Sequence, residues 1–505
     1  MGRGEKAAYN SITSILSQII AMISGFILPR LIMTHFGSAY NGITASVSQF
    51  LSIVALLRGG VGGATRAALY KSLAEKDMNQ VSATVKATEI FMRKVALIFA
   101  GFIVAFAAFY PFLVREEFDW IFTASLVLII SISTFMQYFF GITYQFLLQA
   151  DQRQYVTTLI EIGTVILNVI ISVILINAGV GIHGVKLGSA IAFSITPIAL
   201  HVYCKKYYQL RTDIEPDFSS IKQRWDAFFH AVTGFVHSNT DITLLTIFST
   251  QKVISVYTTY YLVGNGVRKI VLTIASGVEA AFGDIIARND IKTLQMDFKI
   301  YETLMHTISC VLFGAAMVLT TPFIKVYTQG VTDVNYIRHV FGYLVITGEM
   351  LYCLRSPYEA LVNASGHFKE TKRFALTETV LNLGISIILV YKFDLIGVVI
   401  GTVISIFFRI ISFGFYTERN IIKRPVWNGV LRFCVSGATV VTIFLVCKII
   451  PIMNMDSYIS WIMYAMPVTL MAIIITVVFN YVFYRKETVM TVRKLSGIAG
   501  RLLHR

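Results

Sequence analysis

Several arginines occur inside long apolar stretches of the sequence, where a charged side chain needs a specific partner. An arginine at the centre of a bilayer costs about 2.5–3.5 kcal/mol on insertion scales, so it is expected to face protein, water or an anion. Guanidinium groups bind phosphates through bidentate hydrogen bonds, and several of them together could hold a diphosphate. The residues predicted to form such a cationic substrate site are Arg268, Arg409, Arg355, Arg58 and Arg30.

Arg268 is the strongest of these candidates because it lies near the middle of its apolar stretch and follows Gly264 and Gly266. Glycines loosen or thin a helix and favour exposure of the arginine to a cavity. For Arg58 and Arg30, the alternative is that the side chain extends from a helix end to the membrane surface. Arg66 lies at the end of its stretch, past the edge of the hydrocarbon, and this surface position is predicted for it.

The acidic candidates in apolar stretches are Asp241, Glu349, Glu161 and Glu378. Of these, Asp241 or Glu349 could bind a proton or Na⁺ that is coupled to substrate movement. The alternative is that they form ion pairs with the buried arginines. Five scattered cysteines show no spacing typical of a metal site. The sequence therefore predicts no catalytic residues, no metal centre and no cofactor other than a possible coupling ion.

The composition of the chain indicates what kind of protein holds these charged residues in place. Hydrophobic residues make up 56% of the 505 residues and charged residues only 14%, with a formal net charge of +15. Soluble proteins have about 25% charged residues, so this chain is predicted to be a polytopic membrane protein. The same composition argues against a secreted disulfide scaffold, a disordered protein and a nucleic-acid binder.

Fourteen apolar stretches are long enough for helices that cross roughly 30 Å of hydrocarbon. They lie near 10–33, 39–66, 86–114, 119–141, 153–177, 183–203, 226–248, 253–283, 298–325, 335–363, 371–391, 395–417, 427–450 and 457–484. With the N-terminus in the cytoplasm, the inner segments carry 29 lysines and arginines and the outer segments carry six. This bias predicts that both termini are cytoplasmic.

The two halves of the chain resemble each other at an offset of 213 or 214 residues. Tyr144 matches Tyr358 and Asn168 matches Asn382 at an offset of 214, whereas Asp77 matches Asp290 at 213. This offset spans six helices, an even number, and therefore predicts parallel repeats around a central cavity. The predicted organisation is an N-lobe of six helices (1–203), a cytoplasmic linker (204–225), a C-lobe of six helices (226–417), and two further helices with a basic cytoplasmic tail (418–505).

Several segments give the chain a resemblance to a known superfamily. They include ILPRLIMTHFGSAYNGI (27–43), LLRGGVGGATRAALYKSLAEKD (56–77) and, in the second half, RKIVLTIASGVEAAFGDIIARND (268–290). The pattern resembles the Wzx-type polysaccharide flippases of the multidrug/oligosaccharidyl-lipid/polysaccharide (MOP) exporter superfamily. The resemblance implies that the protein lies in the cytoplasmic membrane and moves a polyprenyl-diphosphate-linked oligosaccharide outward across it by alternating access. The implied pathway also contains glycosyltransferases and a glycan polymerase. The resemblance also implies that membrane lipid and the lipid-linked glycan are the partners.

Two other functions remain as alternatives. A cation-coupled multidrug exporter of the same superfamily is expected to have twelve spans and an acidic cavity, whereas the deep charges here are mainly basic. A membrane glycan polymerase or glycosyltransferase usually carries a large extracytoplasmic loop or a DxD motif, and this sequence has short outer loops and no DxD. The chain is therefore expected not to be an enzyme.

Overall fold

The computed structural model describes residues 3–211, 213–221, 239–275, 278–451 and 455–503. Within these ranges the ordered elements are helices, as expected for chain segments that must satisfy their backbone hydrogen bonds inside a bilayer. The all-helical fold class predicted from the sequence is confirmed.

The helices follow the chain in this order: α1 (Arg3–Phe36), α2 (Ser38–Leu51), α3 (Ala55–Glu75), α4 (Met78–Leu113), α5 (Trp120–Met136), α6 (Ile142–Ala150), α7 (Gln154–Asn177), α8 (Ile182–Tyr208), α9 (239–248), α10 (Gln251–Ala275), α11 (Val278–Ala287), α12 (Ile291–Tyr327), α13 (His339–Ser365), α14 (Phe368–Phe393), α15 (Leu395–Thr417), α16 (Trp427–Cys447) and α17 (Tyr458–Leu503). A short 3₁₀ turn joins α2 to α3, and a π-helical turn joins α5 to α6.

Ten helices in the described ranges are long and apolar enough to cross a membrane. The protein is therefore a multi-pass membrane protein. Each of the fourteen predicted spans coincides with helical structure, although the first part of the span 226–248 lies outside the described residues. The predicted spans 39–66, 253–283 and 335–363 contain helices but are not among these ten, and residues 276–277 of the second lie outside the described residues. The count of fourteen crossings stays a prediction.

Contacts divide the chain into two compact units, Met1–Val256 and Tyr257–Arg505. In the first unit, Asp77 begins α4 because its carboxylate accepts hydrogen bonds from the backbone N–H groups of Asn79 and Gln80. Tyr144 and Phe146 are both 1% exposed and lie in cores formed by helices of this unit.

The second unit is built around α12, which packs against α13, α16 and α17. Asp290 begins α12 by accepting hydrogen bonds from the side chain and the backbone N–H of Thr293, and these bonds lower the pKa of the Asp290 carboxyl. Phe298, Phe313 and Tyr358 are fully buried in the core of this unit. The predicted helices thirteen and fourteen, α16 and α17, belong to this unit because they pack on α12.

The contact division falls later in the chain than the predicted linker at 204–225. Segment 239–256 belongs to the first unit because it forms buried polar contacts with α2. Ser46 shares a hydrogen bond of 2.6 Å with Thr246, and the Asn41 amide donates to the Ser255 hydroxyl at 2.8 Å. The predicted lobe boundaries stay a prediction.

Positions separated by the repeat offset occupy similar environments in their own units. Asp77 and Asp290 both cap a long helix, α4 and α12. Asn168 on α7 and Asn382 on α14 are 2% and 1% exposed. Each of these helices packs on the next one in the chain, α8 and α15 respectively. These parallels support the internal repeat that the sequence predicts.

Candidate functional site

Three of the five predicted arginines lie together in the second unit, on the helices α10, α13 and α15. Arg268 pairs with Glu349 at 2.9 Å, and the Asn265 side chain accepts a further hydrogen bond from Arg268 at 2.8 Å. Arg409 donates to Glu378 on α14 at 2.7 Å. The tertiary structure thus gives each of these deep cations a carboxylate partner, as the cost of isolated charge in a membrane requires.

Helix α13 provides one face of this group. Glu349, Tyr352, Arg355 and Glu359 follow each other at spacings of three or four residues, which places them on one side of a helix. Arg355 donates to Glu359 at 3.2 Å within the helix. Its side chain is only 5% exposed, so it lies inside protein and does not face lipid.

Tyr352 joins two parts of the group. The Arg268 guanidinium carbon lies 4.8 Å from the centre of the Tyr352 ring, and the Arg355 guanidinium carbon lies 4.4 Å from it. A cation above an aromatic face is attracted by the ring quadrupole, more strongly where water is excluded. Tyr352 can therefore hold two like charges at positions where they would otherwise repel.

Glu378 connects the remaining arginines. One of its carboxylate oxygens accepts from Arg355 at 3.1 Å and the other accepts from Arg409 at 2.7 Å. We use the term arginine network for the group formed by these seven side chains: Arg268, Arg355, Arg409, Glu349, Glu359, Glu378 and Tyr352. Its three arginines and three glutamates give a formal net charge of zero.

Gly264 allows the close approach of α10 to this face of α13. A Cβ atom on Gly264 would lie 3.0 Å from Cγ of Glu349, tighter than most side-chain contacts. Helix α10 is continuous through Gly264 and Gly266. The role of Gly264 is therefore close packing beside the Arg268–Glu349 pair, rather than the loosening of the helix expected from the sequence.

Another buried group lies where α12 meets the loop before α16. Arg424 donates to both oxygens of Glu302, at 2.8 and 3.0 Å, and also bonds Glu418. The Tyr358 hydroxyl donates to Glu302 at 2.6 Å. In the sequence, Arg424 lies between the apolar stretches 395–417 and 427–450. Its partner Glu302 is 122 residues away, so no local signal could have identified the pair.

The other predicted site residues lie in the first unit. Arg58 is an exposed residue of α3, Arg30 is a half-buried residue of α1, and Asp241 is a half-buried residue of α9. Arg66 donates to the Gln149 side chain at 2.9 Å. That all five arginines line one cavity, and that Asp241 or Glu349 binds a coupling ion, stay predictions.

Two members of the arginine network were missed at the sequence level. Glu359 could have been found, since it follows Arg355 by four residues and such pairs face each other on a helix. Tyr352 had no such signal because aromatic residues are common in the spans. Among the described residues, no group of three or more His, Cys, Asp or Glu side chains is arranged to hold a metal ion.

Comparison of the whole structure with solved structures finds transporters of one fold. The lipid II flippase MurJ, in an inward closed conformation, superposes with a TM-score of 0.70 at 17% identity, covering 94% of this chain and 98% of that chain. An inward-facing multidrug transporter of the MATE family of the MOP superfamily superposes with a TM-score of 0.63 at 13% identity, covering 81% and 98%. A eukaryotic MATE transporter gives a TM-score of 0.57 at 13% identity, covering 85% and 98%.

These similarities show that the chain shares the fold of these transporters. No protein-family model matches the sequence, and no curated protein sequence matches it significantly. At 13–17% identity the fold is shared, whereas the transported molecule can differ.

Proposed function

We propose that this protein is a flippase that moves a polyprenyl-diphosphate-linked oligosaccharide across the cytoplasmic membrane by alternating access. The observation that carries the proposal is the arginine network. It concentrates three guanidinium groups in one unit of a transporter fold, and one of them, Arg268, keeps 21% of its side chain exposed. The fold supports the same class, since the lipid II flippase superposes over 94% of the chain.

The pairing within the network suggests how a diphosphate would be held. Each arginine is paired with a glutamate. An incoming anion therefore has to displace a carboxylate from its arginine before it can bind there. Guanidinium–phosphate contacts have the same bidentate geometry as guanidinium–carboxylate contacts, which makes such an exchange feasible. Arg268 is the first candidate because it is more exposed than Arg355 and Arg409, at 5% and 13%.

In this proposal, the exchange also provides a coupling between substrate and conformation. A diphosphate bound to Arg268 would release Glu349 on α13, the same helix that holds Arg355 through Glu359. A proton or Na⁺ could then neutralise the released carboxylate, which is the role predicted for Glu349. Binding energy would thereby favour the conformation in which the carboxylate is separated from the arginine.

The second candidate function is export of cationic or amphipathic drugs. It is favoured by the equal number of acidic and basic groups in the network and by the MATE transporters among the similar structures. In that case Glu349 and Glu378 would be released to bind a cation, and the arginines would be their structural partners.

Purified protein reconstituted into liposomes distinguishes the two functions. Fluorescent polyprenyl-diphosphate-linked oligosaccharides placed in one leaflet should become accessible to a reagent on the other side, and protein-free liposomes should show no transfer. Transport of a cationic dye without transfer of any lipid-linked sugar would contradict the flippase proposal and favour the drug exporter.

A further inference from the structure

Helix α17 has 46 residues and is longer than a helix needs to be to cross the membrane. A helix rises about 1.5 Å per residue, so 458–484 already crosses roughly 30 Å of hydrocarbon. At Tyr484 the backbone leaves helical geometry, with φ of −138° and ψ of 40°, and the helix then continues to Leu503. We refer to residues 485–503 as the basic helix.

The basic helix is strongly cationic. It contains Arg485, Lys486, Arg493, Lys494 and Arg501 with a single acidic residue, Glu487. Most of these cations fall on one side of a helical projection. Lys486, Arg493 and Arg501 are separated by seven and eight residues, which is about two turns each, and Lys494 adjoins Arg493.

Val492 lies on the side away from these four cations, whereas Val489 lies at the border of that side, close to Arg493. Val489 and Val492 are 40% and 59% exposed. In the sequence Leu495, Ala499 and Leu502 continue from Val492 at spacings of three or four, which places these positions on the same side of the helix. The side at Thr491, which is 6% exposed, contacts the protein, and Lys494 pairs there with Asp297 of α12 at 2.7 Å. Lys486, Arg493 and Arg501 are therefore the cations left on the basic side.

We infer that the basic helix lies in the membrane interface and binds anionic phospholipid headgroups of the leaflet at this end of α17. A helix with a basic face and an apolar face is attracted by anionic lipid and buries its apolar side at the headgroup boundary. Two observations favour anionic lipid as the binding partner of the basic helix: its charge is complementary to the headgroups, and it continues directly from a membrane-crossing helix. The inference does not depend on the transported substrate.

A spin label at position 492 tests the inference in the full-length protein. The variant Val492→Cys is combined with Cys434→Ser, since Cys434 is exposed and the other four cysteines are buried. Labelled protein is placed in nanodiscs of phosphatidylcholine alone and in nanodiscs of phosphatidylcholine and phosphatidylglycerol at two to one. Collisions of the label with oxygen report the lipid environment, and collisions with a water-soluble nickel chelate report the aqueous one.

The expected result is a several-fold higher ratio of oxygen to nickel collisions in the nanodiscs that contain phosphatidylglycerol. Each surface cation contributes roughly fivefold to binding an anionic membrane. The double variant Lys486→Glu with Arg493→Glu should therefore weaken binding of the basic helix to the anionic membrane by more than an order of magnitude. The matched control is Lys205→Glu with Lys206→Glu, an equal charge change at the exposed end of α8. This control should leave the ratio unchanged.

Two results would overturn the inference. A label that stays accessible to nickel in both kinds of nanodisc would mean that the apolar side faces water or a soluble partner. A label that is equally protected with and without phosphatidylglycerol, and in the doubly reversed variant, would mean that the cations do not select anionic lipid.

Discussion

Individual charged residues in the spans are held by specific partners in the second unit. Arg355 illustrates the energetics, since its guanidinium is 5% exposed and contacts both Glu359 and Glu378. A buried ion pair offsets its desolvation only when both partners are present, and removal of one partner leaves an uncompensated charge. The arginine network therefore has to be tested for stability as well as for transport.

Replacement of Arg268 tests the site at the scale of one residue. We expect Arg268→Ala to abolish transfer of the lipid-linked oligosaccharide in liposomes while the protein still inserts in the membrane. Arg268→Lys should restore transfer only in part, because lysine keeps the charge and loses the bidentate geometry. Arg66→Ala removes a hydrogen bond to Gln149 in the first unit and serves as the control with mild effect. Normal transfer by Arg268→Ala would remove the main support for the flippase proposal.

Replacement of Glu378 tests the stability of the network. Glu378→Gln removes the carboxylate shared by Arg355 and Arg409, and loss of one partner of a buried pair costs about 3–5 kcal/mol. We expect a clear fall in the melting temperature of the purified protein. Glu359→Gln should have a smaller effect, since the Glu359 side chain is 33% exposed and water can compensate. Equal melting temperatures for the two variants would contradict the bridging role of Glu378.

Helices, rather than single residues, determine which charges can meet. Helix α13 brings Glu349, Tyr352, Arg355 and Glu359 to one face, and α10 reaches that face where Gly264 removes the steric barrier. The seven side chains of the network come from α10, α13, α14 and α15, so its geometry depends on four helices packing at the correct distances.

Enlargement of Gly264 tests this packing. Gly264→Leu should push α10 away from Glu349, separate the Arg268–Glu349 pair and strongly reduce transfer in liposomes. Gly384→Leu is a matched control on α14, because a side chain at Gly384 meets open space. A Gly264→Leu protein with full transfer activity would show that the close approach of α10 to α13 is dispensable.

At the scale of the whole molecule, the sequence predicts an internal repeat and carries a bias of positive charge. Topology is the property that the charge bias determines, since lysines and arginines are retained on the cytoplasmic side during insertion. An even number of crossings follows only if both termini are on that side.

Reporter fusions measure this topology directly. Fusions at 115–117 and at Lys252 should report the outer side, and fusions at 71–76 and near Arg211 should report the cytoplasmic side. A reporter fused after Arg505 should also be cytoplasmic. An outer location for that last reporter would contradict the even count and require that one predicted span does not cross the membrane.

The sequence by itself determined the helical membrane fold, the positions of the helices and the repeat, because hydropathy and charge act locally along the chain. It also selected Arg268, Arg355 and Arg409 as residues that need partners. Only the tertiary structure decided which partners they have: Glu378 accepts from Arg409 across 31 positions, and Arg424 reaches Glu302 across 122. Such pairs depend on how helices pack side by side, and the distance between side chains on different helices is not encoded in the spacing along either one.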